Sequence, residues 1–343
     1  VDDIIMNKNS SSIYGAVIRG VGQTGVSLLA GGLLAWSLLR WWPGDRLYPI
    51  RLLNYATPWL LLVLLPALVL AGWLRCRPIW QIVLSVPTLL ISLPLLPLPR
   101  LGLAAPTAGQ PLTVMSYSLC SANTNLPAAV EVIRQARPDL LLLQEVKPDA
   151  AEFLQRELAD LYAPDSYNLQ FSYEPAARQA LLSRYPLRPL GLAPALGDAQ
   201  QVRVELPGGP LTVWNVHVSQ PQFWPQHTAQ MQALAQAIPA VDGPLIVGGD
   251  FNSTPYSDAY RLLAGRLDNA HDRAGWGFGF TYPAPSASYG CRRPTRLPVS
   301  WPVVRIDHLF VSRHVALHQA RTLNVSGNSD HLPVVAVVAV GGG

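Results

Sequence analysis

LIVGGDFNST, from Leu245 to Thr254, runs from apolar residues through two glycines to an Asp and an Asn two positions apart. A short continuous apolar run reads as a buried strand. The glycines let the backbone turn tightly or come close to another group. If Asp250 and Asn252 both lie in extended backbone, their side chains share one face, because strand side chains alternate. A carboxylate beside an amide at the open end of a buried strand suits a hard cation and a phosphate. Taken alone, the stretch reads equally well as a strand followed by an Asp/Asn turn.

The neighbouring sequence favours the first reading. LTVMSYSL (Leu112–Leu119) alternates like a strand, and Asn125–Arg137 has helical spacing at Ala129, Val130, Ile133 and Ala136. LLLLQEV (Leu140–Val146) reads as a second buried strand, and Ala150–Leu161 as an amphipathic helix. ALLSRYPL (Ala180–Leu187), QVRVEL (Gln201–Leu206) and LTVWNVHV (Leu211–Val218) read as strands, followed by a helix over Gln226–Ile238 and another from Ser257 to Leu263. VVRIDHLFVS (Val303–Ser312) and SDHLPVVAVVAV (Ser329–Val340) complete the set. Hairpin-like neighbours at 201–206 and 211–218 exclude a purely parallel sheet. Five apolar runs end in polar residues: Glu145, His217, Asp250 with Asn252, Asp307, and Asp330 with His331. Any one of them reads as a cap or a core histidine. One mouth lined with acids, an amide and histidines has the composition of a metal-assisted hydrolytic site.

The front of the chain is of another kind. Hydrophobic residues make up 50% of the 343 residues and charged residues only 13%, with the apolar excess before residue 100. Residues 20–39, 52–74 and 78–99 lack charged side chains, and each is long enough to cross a bilayer core of about 30 Å. Arginines punctuate the gaps, and Trp36, Trp41, Trp42, Trp59, Trp73 and Trp80 lie near the ends, where an interfacial belt belongs. Three membrane spans are expected, preceded by a polar segment (1–19) whose opening VDDIIMNKNSSS (1–12) reads as disordered, and followed by a linker (101–110) and a soluble domain (111–340). Basic residues flanking the spans tie at four on each side: Lys8, Arg19, Arg75 and Arg77 against Arg40, Arg46, Arg51 and Arg100. Charge therefore does not set the orientation. From Pro111 onward 17 Lys and Arg face 18 Asp and Glu, a net of −1; before it the count is 8 against 3, a net of +5. The soluble part thus lacks the broad positive field of a non-specific nucleic-acid binder. No span carries an ionisable residue of the kind a transporter uses. Cys76, Cys120 and Cys291 match no metal-site spacing and do not form an even set, so they leave pairing and compartment open.

QEV (Gln144–Val146), SRYPL (Ser183–Leu187), NVH (Asn215–His217), GGDFNSTP (Gly248–Pro255), RIDHLFVS (Arg305–Ser312) and SDHLPV (Ser329–Val334) occur in that order. Together they resemble the endonuclease/exonuclease/phosphatase (DNase-I-like) superfamily over Leu112–Val340, with multi-span bacterial members among the similar proteins. The resemblance implies an α/β fold: a four-layer α/β/β/α sandwich of two mixed sheets, here preceded by three transmembrane helices. It also implies hydrolysis of phosphate esters with Mg²⁺ or Mn²⁺. By position, Glu145 and Asp330 resemble metal carboxylates. Asp250 and Asn252 resemble the pair that orients water and holds phosphate oxygens. His217 resembles the histidine that stabilises phosphoryl oxygens, and Asp307 with His331 the buried Asp–His pair. The family's first strand ends in a metal-holding Asn, whereas this chain has Ser118, a shorter and weaker oxygen ligand.

The expected function is a membrane-anchored, divalent-metal-dependent phosphoesterase in a bacterial inner or plasma membrane, with its catalytic domain outside the cytoplasm. Substrates in view are a phospholipid headgroup, a nucleotide or nucleic acid, and Arg292, Arg293 and Arg296 are candidates to grip a second phosphate. The alternative is an inactive tethered protein that binds a phosphorylated ligand.

Overall fold

The computed structural model describes residues 2–96, 109–162, 170–193, 196, 198–288, 290–291 and 301–341. Most of the expected linker, and Arg292, Arg293 and Arg296, fall outside them. The chain divides into two compact units, Val1–Leu96 and Pro97–Gly343.

The first unit contains helices α1 (Asp2–Leu39), α2 (Tyr48–Tyr55), α3 (Leu61–Trp73) and α4 (Pro78–Ser92). Among the described residues two segments, Tyr14–Leu39 and Pro78–Leu95, are long and apolar enough to cross a membrane. The polar opening is not an unstructured lead: it forms the first turns of α1. The expected second span is not one straight helix either. Tyr48–Tyr55 and Thr57–Trp73 meet at a bend of 76°, so a third span exists only if the bent pair counts as one. Pro58 explains the break, since it has no N–H to donate back to the Asn54 carbonyl and so cannot continue the helix of Tyr48–Tyr55. Thr57 Oγ1 donates to the Asn54 carbonyl (2.9 Å) in the last turn of α2. Buried Asn54 donates to Asp45 Oδ1 (2.7 Å) and accepts from Trp36 Nε1 (3.2 Å), which fixes the bend inside the unit.

The second unit contains β1 (Pro111–Ser118), α5 (Leu126–Ala136), β2 (Leu140–Gln144), α6 (Pro148–Glu157), α7 (Ala159–Tyr162), β3 (Phe171–Glu174), β4 (Gln179–Ser183), β5 (Leu187–Ala193), β6 (Ala199–Leu206) and β7 (Gly209–His217). It continues with α8 (Trp224–Ala237), β8 (Leu245–Asp250), α9 (Asp258–Ala264), β9 (Asp268–Asn269), α10 (Ala270–Ala274), β10 (Asp307–Val311), β11 (Val315–Thr322) and β12 (Val334–Val340). Two six-stranded mixed sheets result, in the orders β11-β12-β1-β2-β4-β3 and β5-β6-β7-β8-β10-β9. In each, one parallel pair, β1 with β2 and β7 with β8, lies among antiparallel neighbours.

Strand period makes the layers. Leu140 and Leu142 of LLLL pack between the sheets with Val213, Ile246 and Leu309. Leu141 and Leu143 point the other way, against α5 and α6 through Ile133 and Leu154. On the second sheet Val247 and Phe310 face Met231 and Leu234 of α8 and Leu263 of α9. The order is therefore helices, sheet, sheet, helices, as the resemblance implies. Gly248 marks a close approach, since a Cβ there would lie 2.9 Å from Leu142 of the other sheet and 2.6 Å from Leu309. A Cβ on Gly249 would meet the Val216 carbonyl at 1.9 Å.

The inter-sheet face changes character along the strands. Beyond the apolar residues lies a buried polar layer, where Gln144 Nε2 donates to Asn215 Oδ1 (2.7 Å) across the sheets. Asn215 Nδ2 in turn donates to the carbonyls of Leu143 (2.9 Å) and Ala180 (3.1 Å) and to Gln200 Oε1 (3.1 Å). Ser118 pairs with Gln144 itself, and further along the strands are Glu145 and His217.

Behind β8, His308 of β10 is fully enclosed. Its Nε2 donates to the Ser253 carbonyl (2.8 Å), and its Nδ1 faces Asn269 Nδ2 (3.3 Å). Burial, followed by the nearby Arg305 guanidinium, pushes its pKa down to about 3 from 6.5. The folded unit thus keeps this ring neutral where the unfolded chain protonates it. Between those two pKa values the unfolded state binds one more proton, so stability falls as pH is lowered, by about 1.4 kcal/mol per pH unit. Urea midpoints measured from pH 6.5 to 4 are expected to show this limb, and His308→Gln to flatten it by about one proton. Equal slopes for the two proteins would mean that other groups carry the acid sensitivity.

Candidate active site

Five strand ends supply the site, and local geometry explains how each side chain reaches it. β2 stops at Gln144, and Glu145 takes a positive φ of 59°, turning its side chain out of the ladder. The Ser121 N–H donates to Glu145 Oε2 (2.8 Å), and Ser121 Oγ donates to the Glu145 carbonyl (3.1 Å). His217 and Asp250 end the parallel strands β7 and β8 directly opposite each other, and Asp307 opposes Asp250 from β10.

Asn252 departs from the expected extended backbone. Its φ is 48°, and its N–H donates to Asp250 Oδ1 (2.9 Å), so a turn and not strand alternation brings the two side chains together. Asn252 Nδ2 donates to the Val218 carbonyl (2.9 Å) and to Asp250 Oδ2 (3.2 Å). The turn reading and the site reading of GDFN are the same structure.

His217 Nε2 lies 3.9 Å from Glu145 Oε1 and 3.7 Å from Asp250 Oδ2. His331 Nε2 lies 3.8 Å from that same Asp250 oxygen, while its Nδ1 is 2.8 Å from Asp307 Oδ2. The His217 and Glu145 side chains are 28% and 29% exposed, against 3% for Asp250 and 1% for Asp307. The mouth is therefore wet on the Glu145 side and closed on the Asp307 side. The Tyr282 ring sits 4.9 Å from the His331 ring. Thr281 Oγ1 accepts from the Asp307 N–H (3.3 Å), and Ser329 Oγ donates to the Ser118 carbonyl (2.6 Å).

The electrostatics follow from burial and proximity. Burial would lower the His331 pKa, but Asp307 and Asp250 outweigh it and hold the ring well above its ordinary value. Burial raises Asp250 well above the usual carboxylate range, with Asp307 and Glu145 adding to it and His331 opposing. Burial also lowers His217, and it raises Asp330. Glu145 is the exception. Burial pushes it up, yet the His217 ring, the Ser121 N–H and His331 together bring it below the ordinary value.

Which side chains suit a cation follows from the donors. Asp250, Asp307 and His331 each place a ligand atom within 4.8 Å of the others. His331 Nδ1 is already bonded to Asp307 Oδ2, whereas Asp307 Oδ1 is buried with no hydrogen-bond partner among the described residues. Asp330 carries a carboxylate beside Cys120 and Cys291, but these cysteines form a disulfide and offer no thiolate. Glu145, Asp330 and Ser118, the positions the family resemblance gives to the metal, offer only oxygens, which fit a hard cation better than zinc. Ser118 is 1% exposed, and its Oγ is buried with no hydrogen-bond partner among the described residues. An orphaned buried oxygen is what an absent ligand would leave.

All eight proposed catalytic and metal positions thus lie at or beside this mouth. The sequence reading left Gln144, Asn215, Ser121, Thr281, Tyr282 and the disulfide without roles. QEV and NVH already contained the first two, since Gln144 directly precedes Glu145 and Asn215 stands two residues before His217.

Comparison with known proteins agrees with the fold. No curated protein matches the chain by sequence. A family protein from Bacteroides thetaiotaomicron is similar in structure at 15% identity, with 68% of this chain and 98% of that one covered and a TM-score of 0.53. The mannosyl-6-phosphatase of Bacteroides thetaiotaomicron VPI-5482 is similar at 15% identity over 66% and 99%, TM-score 0.52. TDP2 of D. rerio, solved with a single-strand DNA product, is similar at 17% identity over 67% and 100%, TM-score 0.51. Residues 120–331 match the sequence profile of the Endonuclease/Exonuclease/phosphatase family, and the chain belongs to that family.

Proposed function

We propose that the chain is a membrane-anchored phosphoester hydrolase that works with a divalent cation, Mg²⁺ or Mn²⁺. The observation that carries this reading is the meeting of His217, Asp250 and Glu145 at one partly open mouth, backed by the buried Asp307–His331 pair. Glu145 and Asp330, with Ser118, would hold the cation, which supplies charge compensation at the phosphoryl group when bound. Asp250, raised by burial, accepts a proton from the attacking water, and Asn252 orients the water and holds a phosphate oxygen. His217 donates to a phosphoryl oxygen. Asp307 fixes the tautomer and orientation of His331, whose positive charge stabilises the anionic transition state. Similar proteins include one solved with DNA product and one named for a sugar phosphate, so the family does not choose the substrate. The near-neutral charge from residue 111 onward and the apolar helices at the front favour a phospholipid headgroup or a small phosphoester over long nucleic acid.

The full chain in detergent is expected to hydrolyse bis-p-nitrophenyl phosphate, and to stop when a chelator removes the cation. Glu145→Gln, Asp250→Asn and His331→Ala should each lower turnover by about 100-fold or more with unchanged circular dichroism. A folded variant that keeps a tenth of the wild-type rate takes its residue out of the mechanism. Phosphate binding with no turnover in any metal would favour the non-catalytic reading, which Ser118 in place of the family Asn makes a real rival.

Ser118 itself is testable. If its oxygen is a weak ligand, Ser118→Asn lowers the Mg²⁺ concentration for half-maximal activity by about tenfold, and Ser118→Ala raises it. Unchanged midpoints in both variants would make the residue a bystander.

The catalytic domain, on this proposal, lies outside the cytoplasm of an inner or plasma membrane. The Cys120–Cys291 disulfide supports the orientation, because such bonds persist in oxidising compartments. Glu152 on α6 is exposed, and a cysteine placed there should react with an impermeant maleimide in intact cells. Labelling only after the membrane is opened reverses the orientation.

A further inference from the structure

The disulfide joins two loops that are 171 residues apart in sequence and meet on the Glu145 side of the mouth. Cys120 follows Ser118 by two residues, and Ser121, the next residue, holds both the carboxylate and the carbonyl of Glu145. On the other side, the Asp330 carboxylate and both sulfurs lie within 4.8 Å of one another. One covalent bond therefore stands beside Asp330, next in sequence to the residue that holds Glu145, and two residues after Ser118.

Around it the loops are stitched by polar contacts that converge on Asn328. Its Nδ2 donates to Asn123 Oδ1 (2.9 Å) and to Ser288 Oγ (2.7 Å), and its Oδ1 accepts from the Ala287 N–H (2.6 Å). Ser288 Oγ also accepts from the Thr124 N–H (2.9 Å). Gly290 packs so closely that an added Cβ would lie 2.4 Å from Ala122 Cβ. These contacts hold the 120–125 loop against residues 284–288 and 290–291, but most are partly exposed, where water competes for them. The buried cysteines are the part of the seam that water cannot replace.

Resting on the cation site proposed above, we propose that Cys120–Cys291 is a positioning clamp. It keeps the Ser121 N–H on Glu145 and closes one wall around Asp330, so that the carboxylates meet a cation already aligned. A loop free to move would have to be ordered on each binding event, at a cost in affinity.

The test is cation affinity, measured on the full chain in detergent with Mn²⁺ alone and no substrate. Three proteins are compared by calorimetry: oxidised wild type, wild type reduced by a dithiol, and the Cys120→Ala/Cys291→Ala double variant. In the reduction the dithiol becomes a disulfide, the Cys120–Cys291 bond breaks, and each sulfur takes up a proton. The reduced and double-variant proteins should bind Mn²⁺ roughly tenfold more weakly, the factor that matches loss of one hydrogen bond to a charged group. Saturating Mn²⁺ should then restore most of the turnover, which a general loss of folding would not allow. If the double variant does not fold, the reduced wild type carries the comparison, since its sequence is unchanged. Equal Mn²⁺ affinity in oxidised and reduced protein overturns the clamp and leaves the hydrolase reading standing. An oxidised protein that binds no Mn²⁺ overturns both.

Discussion

The hydrogen bond from Gln144 to Asn215 is the hinge of the C-terminal unit. It is buried and joins the two sheets one step before the mouth. An unpaired amide at this depth would lose its full solvation, so register in both sheets is set by the need to bring these two side chains together. A one-residue slip in β2 or β7 would turn Gln144 or Asn215 toward the helices, and with it the residue that follows into the site. Polar specificity at the centre thus fixes where Glu145 and His217 emerge.

The second constraint is electrostatic. Asp250 and Asp307 are almost wholly buried and face each other across β8 and β10. Two buried carboxylates repel unless a cation or a proton lies between them. His331 supplies that charge, hydrogen-bonded to one and 3.8 Å from the other. The same arrangement raises His331 and partly offsets the rise that burial imposes on Asp250. Stability and chemistry here are therefore one problem with one solution.

Much of this was legible in the sequence, and the limits have physical causes. The five strand ends were visible because period-2 patterning puts the polar residue at a predictable end of each apolar run. Strands β3, β5, β9 and β11 were not read. β5 carries Pro189, which an edge strand tolerates and a central one does not, and β11 has HisGln and ArgThr pairs that blur alternation. The geometry of Asn252 escaped because a left-handed turn residue leaves no periodic trace. The bend before Pro58 escaped because hydropathy counts apolar residues and is blind to helix direction. The disulfide escaped for another reason: its partners lie 171 residues apart, and only the fold brings them together.

The loop after β1 shows how the departures at Ser118 and Cys120 belong together. An amide at position 118 would reach toward the mouth on its own longer side chain, whereas serine keeps its oxygen close to the strand. With the shorter side chain, less of the order in this loop comes from a residue tied to the site and more from the loop's own fastening. Here that fastening is covalent, and it lies two residues downstream with a hydrogen bond to Glu145 from the very next N–H. A crosslink between distant residues restricts the unfolded chain as well as the folded loop, so its effect does not depend on a ligand being bound. On the clamp proposed above, the mouth is ordered before anything enters it, at a strand end where the family pattern places a side-chain amide.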